Sequence, residues 1–159
     1  MSRKWVVNAS PVIALTKIGQ LSLLAELCDE MIIPLGVAGE IQVGTEDDPA
    51  KNWIKNAGRK WIMDVGSVDP VIASWDLGCG EAEVLSWACK HTGYEANIDD
   101  KIARNCLSMN IRVRGTIGII LLAKRIGKID RVVLLLEELI RCGFRIHPRL
   151  FDEARRIGQ

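Results

Sequence analysis

Short apolar runs that end in a polar residue alternate with helix-length amphipathic stretches, and this alternation most constrains what the chain can become. Trp5-Val6-Val7-Asn8 reads as a buried strand feeding a helix at Ser10-Pro11, with a helical stretch to about Cys28. Met31-Ile32-Ile33 repeats the pattern before a helix over 34–42, and a short helix follows over 50–57. Residues 58–80 are the least regular, with a possible edge strand at 60–65. The period then sharpens: helix 81–91, strand 95–98, helix 99–108, short strand 111–113 and an apolar helix from Thr116 to about Ile126. Asp130 is placed to N-cap an amphipathic helix to Cys142 that buries Val132, Val133, Leu136, Leu139 and Ile140, and a final helix starts at Pro148. Strands separated by helices of this length imply an α/β fold with a mainly parallel sheet covered on both faces. The usual site of such a fold is the crevice at the strand carboxyl ends.

A length of 159 residues, 48% hydrophobic, suits a single domain over 1–159 whose core needs no metal or disulfide staple. Five cysteines with no C-x-x-C pair argue against a disulfide framework and a structural zinc site, so a reducing cytoplasm is the default. The basic start, Met1 to Trp5, is followed by an apolar run broken at Asn8, Ser10 and Pro11, so no secretory signal is expected. No membrane span is expected either, because the longest apolar run covers only 117–123. Charge is uneven: residues 1–100 hold 8 Lys/Arg against 15 Asp/Glu and residues 101–159 hold 13 against 5, leaving −7 and +8. A fold that joins these halves sets an acidic cluster beside a basic surface, as a metal site acting on a polyanion requires; two solvated faces of opposite sign are the plainer account.

Glycine-rich phosphate loops and the G-x-S-x-G elbow are missing, and neither His91 nor His147 has a partner at metal-ligand spacing. Carboxylate chemistry remains. Glu81 is in helical phase with Val84, Leu85 and Ala88, whereas Glu83 points away with Trp87 and Lys90. Asp99, just after a strand, is in phase with Ile102, Ala103 and Cys106, while Asp100 pairs with Arg104. Glu40 lies near the phase of Val37 and Ile41, and Asn8 ends the first strand. Each acid also has a local reading, as a helix-start carboxylate, an N-cap or a solvated side chain. Converging carboxylates repel one another unless a cation neutralises them, and oxygen-only ligands suit Mg²⁺ or Mn²⁺.

Five segments, Val6 to Leu15, Ile33-Pro34 with Val37 and Glu40, Gly80-Glu81-Ala82-Glu83, Ile98-Asp99-Asp100-Lys101 with Arg104, and Arg114-Gly115-Thr116-Ile117-Gly118, resemble the PIN-domain nucleases. The branch related to VapC toxins is the most similar. The resemblance implies a three-layer α/β/α sandwich whose acidic pocket binds Mg²⁺ or Mn²⁺ and cuts RNA, with a small antitoxin-type protein as partner. Glu40, Glu81 and Asp99 fall on the family's acidic positions, with Asp100 a neighbouring acid, and Asn8 stands where the first-strand aspartate is usual. Ser10 is similar to the family's small hydroxyl that positions water or phosphate; Thr116 stands on the opposite wall, where a helix cap explains it equally well. Lys101, Arg104, Arg112 and Arg114 are candidates for a phosphate-binding wall.

Two alternatives stand beside the nuclease. One is a PIN-like module that lost catalysis with Asn8 and binds RNA or protein; the other is a small-ligand α/β protein, which the missing glycine loops disfavour. A homodimer is suggested by the helix over 117–123, apolar nearly all round, although burial in the monomer explains the same pattern. Trp61 and Trp75 could stack on bases, with core packing as the competing account.

Overall fold

A computed structural model describes residues 2–99, 106 and 108–158. Within them β1 (Lys4–Val7), β2 (Glu30–Pro34), β3 (Ile62–Met63), β4 (Tyr94–Asn97) and β5 (Arg112–Val113) form one sheet in the order β3-β2-β1-β4-β5. Every pairing is parallel: Val6 lies opposite Ile32, Val7 opposite Asn97, Ile33 opposite Ile62 and Glu95 opposite Arg112. β1 is the central strand, and Trp5, Val6 and Val7 are fully buried, as expected for a strand covered on both faces.

Nine α-helices flank the sheet among the described residues: α1 (Ala9–Lys17), α2 (Leu23–Leu27), α3 (Leu35–Gln42), α4 (Pro49–Lys55), α5 (Pro70–Ala73), α6 (Cys79–Lys90), α7 (Thr116–Ile126), α8 (Val132–Arg141) and α9 (Pro148–Ile157). This is the expected α/β/α sandwich. α3 packs on α6, α6 lies against β1 and β2, and α7, α8 and α9 pack on one another. No helix among the described residues is long and apolar enough to cross a membrane.

Several expectations are corrected. The first helix does not run to Cys28: Gly19 takes φ +68°, a left-handed turn that glycine adopts without penalty, and a separate short α2 follows. Arg131, not Asp130, is the N-cap of α8; Asp130 instead offers its carbonyl to Lys124 Nζ at 2.8 Å. On α8 Ile140 is 46% exposed, while Val132, Leu136 and Leu139 are buried. The edge strand shrinks to Ile62–Met63 because Arg59–Trp61 form a 3₁₀ turn. Trp61 and Trp75 are half-buried, and Trp61 stacks on Trp53 with ring centroids 5.7 Å apart. On α7 Ile117, Ile119, Ile120, Leu122 and Ala123 are buried within the one chain, which accounts for its apolar circumference. The expected helix over 99–108 lies largely outside the described residues, as do Asp100, Lys101 and Arg104.

Candidate active site

The parallel sheet brings every strand's carboxyl end to one edge, and the helices that leave this edge present their N-termini there. The first four amide N–H groups of a helix have no partner within it, so each start attracts a carboxylate. Three of these starts receive one from another element. At α7, Thr116 donates both its backbone N–H, 2.6 Å from Oδ1, and its hydroxyl to Asp99. Gly80, in the first turn of α6, donates its N–H to Glu40 Oε1 at 3.1 Å. Gly36, in the first turn of α3, donates to Glu83 at 3.1 and 3.3 Å. Helices α3 and α6 thus cap each other, each lending an acid to the other's start.

Glycine makes these approaches close. A Cβ at Gly80 would stand 2.6 Å from Glu40 Oε1, one at Gly36 would stand 2.9 Å from Glu83 Oε2, and one at Gly115 would stand 2.6 Å from Asp99 Oδ1. None of the three has a positive φ, so lack of a side chain is what the site uses. Clustered negative charge is felt by Cys79: Glu83, 3.9 Å away, raises its thiol pKa, with smaller contributions from burial and from Glu40.

Asn8 and Asn97 mark the ends of β1 and β4, joined by a hydrogen bond from Asn8 N–H to the Asn97 carbonyl at 3.0 Å. Asn8 is 5% exposed and Asn97 fully buried. Asn8 Oδ1, Ser10 Oγ and both side-chain polar atoms of Asn97 find no hydrogen-bond partner among the described residues. Orphaned buried polar atoms of this kind call for water or an ion. Glu81 is half-buried in the first turn of α6, directly after Gly80, with Val84, Leu85 and Ala88 buried on its helix as expected.

Asn8, Ser10, Glu40, Glu81, Asp99 and Thr116 therefore belong to the strand ends and helix starts of one edge. They do not form a closed cage: among the described residues no three His, Cys, Asp or Glu side chains are grouped to hold a metal. Two participants were not expected. Glu83 does not point away, because its partner, Gly36, lies 47 residues earlier and helical phase cannot reveal it. Asn97 precedes the Ile98-Asp99 pair, and only the sheet register reveals its burial beside Asn8.

The two described arginines of the expected phosphate wall, Arg112 and Arg114, go elsewhere. Arg114 Nε bridges Glu95 Oε1 at 2.6 Å, the oxygen that also accepts from Trp5 Nε1 at 3.0 Å. Together with Arg112 it lines a cavity at the amino ends of β1, β4 and β5, away from the carboxylates.

Compared with known proteins, residues 4–158 match a family model described as a PIN domain. Neither a search of curated proteins nor a search of solved structures gave a match.

Proposed function

Because the chain belongs to the PIN-domain family, whose members are generally nucleases, we propose that it is a Mg²⁺- or Mn²⁺-dependent endoribonuclease of the VapC-like toxin type, working in the cytoplasm. One observation carries this reading: the carboxyl edge of the sheet gathers acids onto helix starts beside an amide oxygen, Asn8 Oδ1, buried with no donor among the described residues. An acceptor with no N–H to meet among the described residues is what a hard cation completes, and the oxygen donors Asn8, Glu40, Glu81 and Asp99, if drawn together around an ion, would suit Mg²⁺ or Mn²⁺ better than zinc. Asp100 is a further acid beside that set, outside the described residues.

A bound divalent cation supplies Lewis-acid stabilisation of the charge that develops at phosphorus. The chain's own groups do the rest. Asp99, fixed by two donors from Thr116, and Glu40, fixed by Gly80, hold negative charge where RNA phosphates must approach. That charge repels the substrate until it is neutralised, so the acids impose the requirement for a cation. Ser10 Oγ, free of any other bond among the described residues, is available to orient water or a phosphate oxygen. Water attack at phosphorus would form the new P–O bond as the P–O3′ bond breaks, and the proton lost by water and gained by the 3′ oxygen leaves a 5′-phosphate and a 3′-hydroxyl. Beside Ser10 an apolar cleft of about 260 Å³ opens between Ile13 and Lys17 of α1 and Leu139 and Phe144, a surface that supports a small antitoxin-type protein as inhibitor or a second copy as partner.

The test is cleavage of a mixed-sequence RNA with Mn²⁺, with EDTA, and by Glu81→Ala and Asp99→Ala proteins. Cutting that needs metal and both acids is expected; cutting that survives both substitutions would refute the site. Asn8 favours a second reading, a PIN-like module that binds RNA or protein without cutting, since it removes one negative charge from the edge. Asn8→Asp separates the two: tighter Mn²⁺ binding and faster cleavage are expected, and no gain in either would contradict the role given to residue 8.

A further inference from the structure

At the opposite edge of the sheet the amino ends of β1, β4 and β5 surround a cavity of about 170 Å³. Its lining includes five cationic side chains, Arg3, Lys4, Arg112, Arg114 and Arg125, and a single carboxylate, Glu95. Glu95 is committed to Arg114 and Trp5. Arg3 spends its Nε on the Leu27 carbonyl at 2.6 Å, and Lys4 lies over the Tyr94 ring, 5.9 Å from its centroid. Arg112 and Arg125 are exposed and have no ion-pair partner among the described residues. The lining carries an excess of four positive charges around one small cavity, which Asp29 beside Arg3 and Glu30 opposite Lys4 offset only in part. A helix-end role explains Arg125, in the last turn of α7, but not the other four.

We infer that this cavity is a phosphate-binding exosite for the backbone of the RNA strand cut at the other edge. The inference rests on the nuclease reading above. The guanidinium fork matches phosphate and carboxylate oxygens alike, so what favours RNA over an acidic peptide is the place of the cavity on the path of a strand that reaches the carboxylate edge. The two edges are also physically joined. Arg112 pairs with Glu95 in register, and four residues later Thr116 holds Asp99. At about 3.3 Å per residue the 112–116 segment spans roughly 13 Å, a distance a few nucleotides can cover. One strand passing over this edge would meet the basic cavity first and the carboxylates next.

The experiment measures binding of a labelled 12-nucleotide mixed-sequence RNA in EDTA, from 0.05 to 0.5 M salt. It compares the unaltered protein, Arg112→Ala/Arg125→Ala, and the charge-keeping Arg112→Lys/Arg125→Lys. Two lost phosphate contacts, at about −0.7 in log–log slope each on a single strand, reduce the slope by about 1.4 and weaken binding about 25-fold at 0.1 M. The lysine pair should keep the slope, and equal melting temperatures confirm that both variants fold. An unchanged slope and affinity in the alanine pair overturns the exosite even if the protein cuts RNA. Loss of slope in a protein that never cuts upholds the exosite and refutes the nuclease. Absence of RNA binding by the unaltered protein, or its displacement by polyglutamate as readily as by polyphosphate, overturns RNA as the ligand.

Discussion

Gly115→Ala is the sharpest test of how the acidic edge is held. The new Cβ would stand 2.6 Å from Asp99 Oδ1 and 3.5 Å from the Ile98 carbonyl. A C···O contact normally settles near about 3.3–3.6 Å, so the carboxylate must retreat by roughly 0.7–1 Å. Its 2.6 Å bond from Thr116 N–H then lengthens past the range of a hydrogen bond. Losing a bond to a charged group costs about 1.5–3 kcal/mol, and alanine is a poorer N-cap than glycine at the start of α7. Reduced freedom of the unfolded chain returns about 0.4–1 kcal/mol. The net, about 1–2.5 kcal/mol, corresponds to a melting temperature lower by roughly 2–10 °C for a chain of this length. Cleavage should fall about 100-fold, because a displacement near 1 Å at a reacting centre costs that much. Thermal melts and Mn²⁺-dependent RNA cleavage read the two effects. A variant within about 0.5 kcal/mol of the parent that cuts normally would refute the idea that residues 115–116 hold Asp99.

Other outcomes follow from the same geometry. Glu83→Gln removes the leading cause of the raised Cys79 thiol pKa, so alkylation of Cys79 at pH 8 should accelerate; an unchanged rate would show that the carboxylate charge does not govern it. Burial, aided by Asp29, pushes the Cys28 thiol up to about 11, so its alkylation in the folded protein should reach half-maximum near that pH. Because the folded state keeps the proton longer than the unfolded chain, this thiol's contribution to stability is complete below about pH 8.5 and is lost as pH climbs towards 11, which denaturant melts at pH 8 and 10.5 would detect. Leu85→Ala, at a fully buried position on α6, should cost about 2–5 kcal/mol; a smaller loss would mean that the core collapses around the gap.

The α/β alternation was legible in the sequence because strands buried on both faces read as unbroken apolar runs, as Trp5-Val6-Val7 does. Helix α7 was legible from Gly115-Thr116 to about Ile126, and the structure ends it at Gly127 in the left-handed conformation. Helical phase singled out Asp99, Glu40 and Glu81 as candidates; Glu40 lies on α3 and Glu81 in the first turn of α6, while Asp99 follows β4 and is held by Thr116. Phase compares a residue only with its own helix, and this is where legibility stopped. Glu83 is claimed by Gly36 on another helix, and Arg114 by Glu95 on a neighbouring strand. Asp130 looked like a cap because capping residues are recognised by type, whereas the backbone turns into α8 one residue later.

The central position of β1 has a consequence for synthesis. The strand on which the whole sheet is built precedes the others in the chain, yet one of its two neighbours, β4, is not made until Asn97. At 5–20 residues per second, the 63 residues from Pro34 to Asn97 take about 3–13 s, during which one side of β1 has no strand to pair with. Thr116, which fixes Asp99, emerges later still. A ribosome-bound chain therefore carries an open, apolar strand edge for seconds, and the acidic edge is finished only once Thr116 has been made. Nascent fragments would lack a finished acidic edge and be prone to stick to one another, so the order of the strands itself delays assembly of that edge.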